Sequence, residues 1–222
     1  MILAAKQTII GLLLVCGLAA PRVLASSQQD TLVFRGDVEK EFVDAMRNFT
    51  AQRFDSAAAL FSRILKVYPR SHRTTGTYIM GAKAYYRVGN YRESIKLLKD
   101  LMDLYPQSRY IDDAHYSLGL DFYQLGRYED AAGEFLAARQ LSHSSKLIGM
   151  SERILEILAM NQLTVAELQL MLPDATVNAT KALLNYAIAL KVFRTGDVKS
   201  AQDILRTVAS LPPDNKYVSD AA

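Results

Sequence analysis

Tyr78-Ile-Met-Gly-Ala82-Lys-Ala-Tyr85-Tyr86-Arg-Val-Gly89-Asn-Tyr91-Arg-Glu-Ser94 recurs in altered letters from His115 to Ala131. There it reads Leu118-Gly119, Phe122-Tyr123, Gly126-Arg-Tyr128 and Ala131, shifted by 37 (128 − 91 = 37). Self-similarity at a fixed period marks a repeat array. Each copy holds two apolar runs at helical spacing, split by a glycine turn at Gly89 or Gly126. Ala82 and Ser94, and likewise Gly119 and Ala131, are small where two antiparallel helices must approach closely, and aromatics stand beside them. Such a pair cannot bury its apolar face alone, so it stacks on its neighbours.

The small, aromatic, glycine, aromatic, small order of these positions resembles the tetratricopeptide repeat (TPR) pattern. The links Tyr68-Pro69-Arg-Ser71 and Tyr105-Pro106-Gln-Ser108 are similar to those of TPR proteins of the Gram-negative envelope. The resemblance implies an all-α, right-handed superhelical TPR solenoid of about five helix pairs, one of them degenerate.

Working outward, repeats are expected near 38–71, 75–108, 112–145 and 182–215, with a degenerate one at 146–180, so the solenoid spans 37–215. The first repeat has Gln52 where later ones have glycine, and Asp44 in place of an apolar residue, as suits an array end. In the degenerate repeat Thr164-Val-Ala-Glu167 forms a capping box before a short helix that Pro173 ends. Residues 216–222 read as the start of a further helix or a C-terminal stub, because Pro213 to Ala221 lines up with Pro106 to Ala114.

Residues 1–25 read as a secretory signal: Lys6, then the apolar run Ile9 to Ala20, then Val23 and Ala25 before Ser26. Residues 26–36 form a polar leader. The sole cysteine, Cys16, lies in the signal and offers a lipid anchor instead, although Val15 stands where lipidation signals want a small residue. The location expected is therefore the periplasm, with outer-membrane association, and any membrane contact comes through the signal or the anchor. Net charge is +3, and loss of Lys6 and Arg22 leaves 24 − 23 = +1. No clustered basic face calls for nucleic acid.

No catalytic, metal, cofactor or small-molecule motif stands out. His72, His115 and His143 are far apart and lack ligand spacing. The pattern that does stand out is aromatic. In TPR arrays the first helix of each repeat lines a concave groove. The fifth and twelfth positions of those helices are Phe42 and Phe49, Ile79 and Tyr86, Tyr116 and Tyr123, and Tyr186 and Phe193. Lys83, Arg87 and Arg194 lie within a helical turn of them. Two readings are open: the rings pack between neighbouring helices, or they hold a peptide or helix of a protein partner.

The resemblance implies a non-enzymatic periplasmic scaffold for protein–protein interaction in envelope assembly or cell-wall coordination. The alternative is the N-terminal arm of a longer periplasmic-binding-type receptor or penicillin-binding-protein activator. The export expectation is checked by intact-mass analysis of the periplasmic protein. A chain starting at Ser26 is expected; a lipid-modified Cys16 would move the processing site, and a full-length cytoplasmic product would refute export.

Overall fold

The computed structural model describes residues 36–212 and 216–221, which form eleven helices and no strand. The signal 1–25, Cys16, leader residues 26–35 and residues 213–215 and 222 lie outside the described residues. Antiparallel pairs follow one another: α1 (Gly36–Thr50) with α2 (Phe54–Val67), α3 (Thr74–Arg87) with α4 (Tyr91–Leu104), and α5 (Ile111–Gln124) with α6 (Tyr128–Leu141). Then come α7 (Ser145–Asn161), α8 (Val165–Met171), α9 (Asn178–Arg194), α10 (Val198–Ala209) and the short α11 (Lys216–Ala221). The protein is an all-α TPR solenoid.

The turns inside the first three pairs are built alike. Arg53 N donates to Asn48 O, Asn90 N to Tyr85 O and Arg127 N to Phe122 O, each at 2.9 Å. This closure needs a left-handed residue, supplied by Gly89 (φ 78°) and Gly126 (φ 71°). Gln52 adopts φ 60° with a side chain attached, at a cost of ~1–2 kcal/mol. The end repeat therefore has the most strained turn.

Packing within a pair follows a volume exchange. Gly119 of α5 faces Phe135 of α6 so closely that an added Cβ would lie 2.9 Å from the ring. At the equivalent positions of the previous pair stand Ala82 and Leu98, both fully buried. Between these two pairs the larger partner takes the smaller backbone neighbour, as close packing favours. The ring edges are covered in turn: Phe42 meets Phe61 at 5.8 Å and Tyr116 meets Phe135 at 5.5 Å, both edge-on.

The irregular region is held by polar ties. Thr164 and Glu167 complete a reciprocal capping box on α8. The connection after α8 is fastened to α6: Gln140 Nε2 donates to Asp174 O at 3.0 Å, and Thr176 Oγ1 donates to Gln140 Oε1 at 2.8 Å. Lys191 of α9 donates to Met160 O near the end of α7 at 3.1 Å, capping a carbonyl that the helix leaves unpaired. α11 packs on α9 and α10, with Tyr217 5.6 Å from Tyr186 and Lys216 Nζ 2.6 Å from Glu156.

One buried acid joins the second pair to the third. Asp121 is fully buried in α5 and accepts from Ser94 Oγ of α4 at 2.6 Å, while its Oδ1 has no hydrogen-bond partner among the described residues. Burial pushes its pKa up to about 7, against a smaller opposing effect of the Ser94 bond. A raised folded-state pKa means that this group's stabilisation is full below its ordinary value of 3.8 and is lost as pH rises through about 7. Asp121→Asn should therefore gain stability relative to wild type between pH 4 and 8, measured as urea midpoints of both proteins across that range. A pH-independent difference would refute the assignment.

Candidate functional site

The first helices stack along one face, α3 on α5, α5 on α7 and α7 on α9. Where α1, α3, α5 and α7 converge they enclose a recess of about 430 Å³. Phe49, Lys83, Tyr86, Arg87 and Tyr116, all expected at the groove from spacing, come together there. Leu120, Leu147 and Met150 complete an apolar floor, and Asp112, Asp113 and Lys146 add charge of both signs.

The other expected residues lie elsewhere. Phe42 packs on Phe61 beneath the Arg73 guanidinium, which sits 4.8 Å over its ring. Ile79 is 2% exposed in the core. Tyr123 pairs with Tyr128, and Tyr186 with Tyr217. Phe193 and Arg194 are exposed at the end of α9, away from the recess.

Two kinds of ring contact recur among these residues. Two fifth-position rings point at the second helix of their own pair, Phe42 at Phe61 and Tyr116 at Phe135, whereas Tyr186 meets Tyr217 of α11. Twelfth-position rings reach across the turn to the residue that opens the second helix: Phe49–Phe54 at 5.3 Å, and Tyr86–Tyr91 and Tyr123–Tyr128 at 5.6 Å. Phe193 has Val198 at that place, so among the described residues it keeps no ring partner, and it stays 57% exposed.

Polar contacts set the rim of the recess. Lys83 Nζ lies 3.6 Å from Asp113 Oδ1, tying α3 to α5. The Arg87 guanidinium sits 4.1 Å over the Phe54 ring, so its position is fixed by a cation–π contact. Gln124 Nε2 donates to the Tyr86 hydroxyl at 3.3 Å. Burial raises the pKa of the Tyr116 hydroxyl, with a smaller contribution from Tyr86, so it stays protonated at neutral pH. His115 lies outside the recess, with Nδ1 2.7 Å from Glu134 Oε2. Among the described residues, no group of three or more His, Cys, Asp or Glu is placed to hold a metal ion.

Spacing could have reached one residue that it missed. Counted from 146, the fifth position of the degenerate repeat is Met150, which lines the recess. Asp112, Asp113, Leu120, Lys146 and Leu147 carried no such signal, because they belong to the lining only through the curvature of the stack.

A family model described as YfiO, outer membrane lipoprotein, matches residues 36–168, more than half of the chain. The chain belongs to this family. The YfiO match begins at the first residue of α1 and runs into α8, so it takes in every helix that lines the recess. Comparison with curated proteins gives no match. Among solved structures the chain is similar to the TPR-like repeats of a kinesin light chain from Podosopora anserina. That match has 15% identity and a TM-score of 0.47 over 78% of this chain and 92% of the other. It is also similar to the TPR2AB domain of yeast Sti1 in its complex with pHSP90, at 13% identity and TM-score 0.47 over 78% and 90%.

The ring pairing yields a stability prediction. Val198→Tyr restores the missing partner of Phe193 and should add ~0.5–1.5 kcal/mol. Phe193→Ala should cost far less than Phe49→Ala, whose ring is paired. Urea unfolding of the three variants checks both statements, and equal costs for the two alanine variants would contradict the pairing.

Proposed function

We propose that this chain is a non-enzymatic periplasmic scaffold, and that its recess holds a segment of another envelope protein during outer-membrane assembly or cell-wall coordination. The observation that carries the proposal is the recess itself. It offers the rings of Phe49, Tyr86 and Tyr116, the adaptable side chain of Met150 and flanking charges of both signs on four consecutive first helices. Rings give contact area at low entropic cost, methionine adapts to irregular surfaces, and Lys83, Arg87 and Lys146 meet acidic side chains of a partner. Asp112 and Asp113 disfavour a uniformly acidic segment, so a mixed-charge amphipathic segment fits best. Membership of an outer membrane lipoprotein family supports export and a place at the outer membrane, whether through lipid on Cys16 or as a free chain beginning at Ser26.

The test is crosslinking in the envelope, scored at matched folded fraction. Tyr86→Ala with Met150→Ala should weaken partner recovery by roughly thirtyfold, about 2 kcal/mol, as for an anchor at an interface centre. Arg92→Ala with Glu129→Ala, exposed on α4 and α6 and away from the recess, should leave recovery unchanged. Equal recovery by the two pairs would reduce the recess rings to packing.

A further inference from the structure

Outside the groove, a ridge of exposed apolar side chains runs along one edge of the solenoid. Val67, Leu104 and Leu141 end α2, α4 and α6 at the same repeat position (67 + 37 = 104; 104 + 37 = 141). They are 50%, 61% and 48% exposed, whereas Ile64, Leu101 and Ala138, one turn earlier on the same helices, are fully buried. The exposure therefore belongs to the edge and not to loose packing of these helices.

The edge is continuous. The Tyr105 hydroxyl donates to Pro69 O at 3.3 Å, joining the α2–α3 connection to the α4–α5 connection. Pro106, Arg109, Leu141 and His143 share one shallow recess, which joins the α4–α5 connection to the α6–α7 connection. α1 begins on the same edge, where Glu39 accepts from Arg73 Nε at 2.6 Å and lies 2.9 Å from His72 Nε2. That engagement holds the Glu39 carboxyl down to about 2.

Basic side chains surround the ridge. Lys40, Lys66, Arg70 and Arg109 are exposed along it, against the exposed acids Asp37 and Asp103 and the half-buried Glu39 and Asp112. Tyr68 and Tyr105, each next to a ridge residue, are half-buried. Apolar tips flanked by tyrosines and cations suit the boundary between lipid headgroups and acyl chains. No helix among the described residues is long and apolar enough to cross a membrane.

We propose that this edge lies against an anionic phospholipid surface. Val67, Leu104 and Leu141 sit at the acyl boundary, and Lys66, Arg70 and Arg109 meet phosphates. The groove then faces along the membrane, open to partners assembled at its surface. The proposal rests on the outer-membrane reading above.

The chain has no tryptophan, so Leu104→Trp gives a single reporter. With vesicles of phosphatidylglycerol and phosphatidylcholine its emission should shift to the blue and be quenched by brominated lipid, however the N-terminus is attached. A tryptophan at Leu125, on the opposite edge and also 48% exposed, should not respond. Lys66→Gln with Arg109→Gln should raise the lipid concentration needed for half the shift by roughly tenfold on phosphatidylglycerol vesicles. Circular dichroism confirms that each variant is folded. No shift, or equal shifts at both edges, overturns the proposal. So does a photocrosslinker at position 104 in cells that labels a second copy or another protein in place of lipid. Fractionation separates this from the location reading: a chain found away from the outer membrane refutes that reading, while the shift at position 104 still decides the edge.

Discussion

Phe135 lies against the bare backbone of Gly119, and most of the architecture depends on contacts of this kind. Two antiparallel helices of fourteen residues each approach closely here because one presents only a small residue, or none, where the other presents a bulky one. Once they have closed, each pair has an apolar face to spare, and the next pair must cover it. Phe61, Leu98 and Phe135 are fully buried in successive second helices, with Ala45, Ala82 and Gly119 at the matching positions of the first helices. Dense packing leaves little room for independent change, so size is exchanged between partners.

The same economy shapes the groove. The rings that line it are not free to serve a partner alone, because each is also fastened to a second helix. Tyr116 leans on Phe135, Tyr86 on Tyr91, and Phe49 on Phe54. Fastening fixes the rings before anything binds, which lowers the entropic cost of using them as anchors. Arg87 over Phe54 and Lys83 beside Asp113 hold the charges in the same way. Where the fastening residue is lost, as at Val198, the ring of Phe193 turns into exposed apolar surface.

Polar groups do the work where the repeat pattern fails. The shortened α8 has too little apolar face to seat itself by burial alone. The Gln140, Asp174 and Thr176 ties and the Lys191–Met160 bond compensate with directed contacts. Asp121 is the exception inside the regular array: a carboxyl with one partner in an apolar setting, and therefore a position at which cohesion between pairs depends on pH.

The helical class, the period of 37, the glycine turns and the capping box of α8 could all be read from the letters, because each depends on residues at most one repeat apart. Spacing also named five residues that share the recess, since a fixed repeat puts equal positions on one face. It could not tell that Ile79 and Phe42 turn into the core while Tyr86 and Tyr116 keep a face in the groove. Phe42 and Tyr116 make the same ring contact with their own second helices, so the difference comes from the neighbours: Arg73 covers Phe42, while α3 and α7 leave Tyr116 in the recess. Nor could it draw Asp112, Lys146 and Leu147 into the lining, or show that Val67, Leu104 and Leu141 form a continuous ridge. Both depend on how the pairs stack and curve, and the stacking angle is set jointly by every buried side chain between neighbouring pairs, so only the tertiary structure decided which positions would face each other.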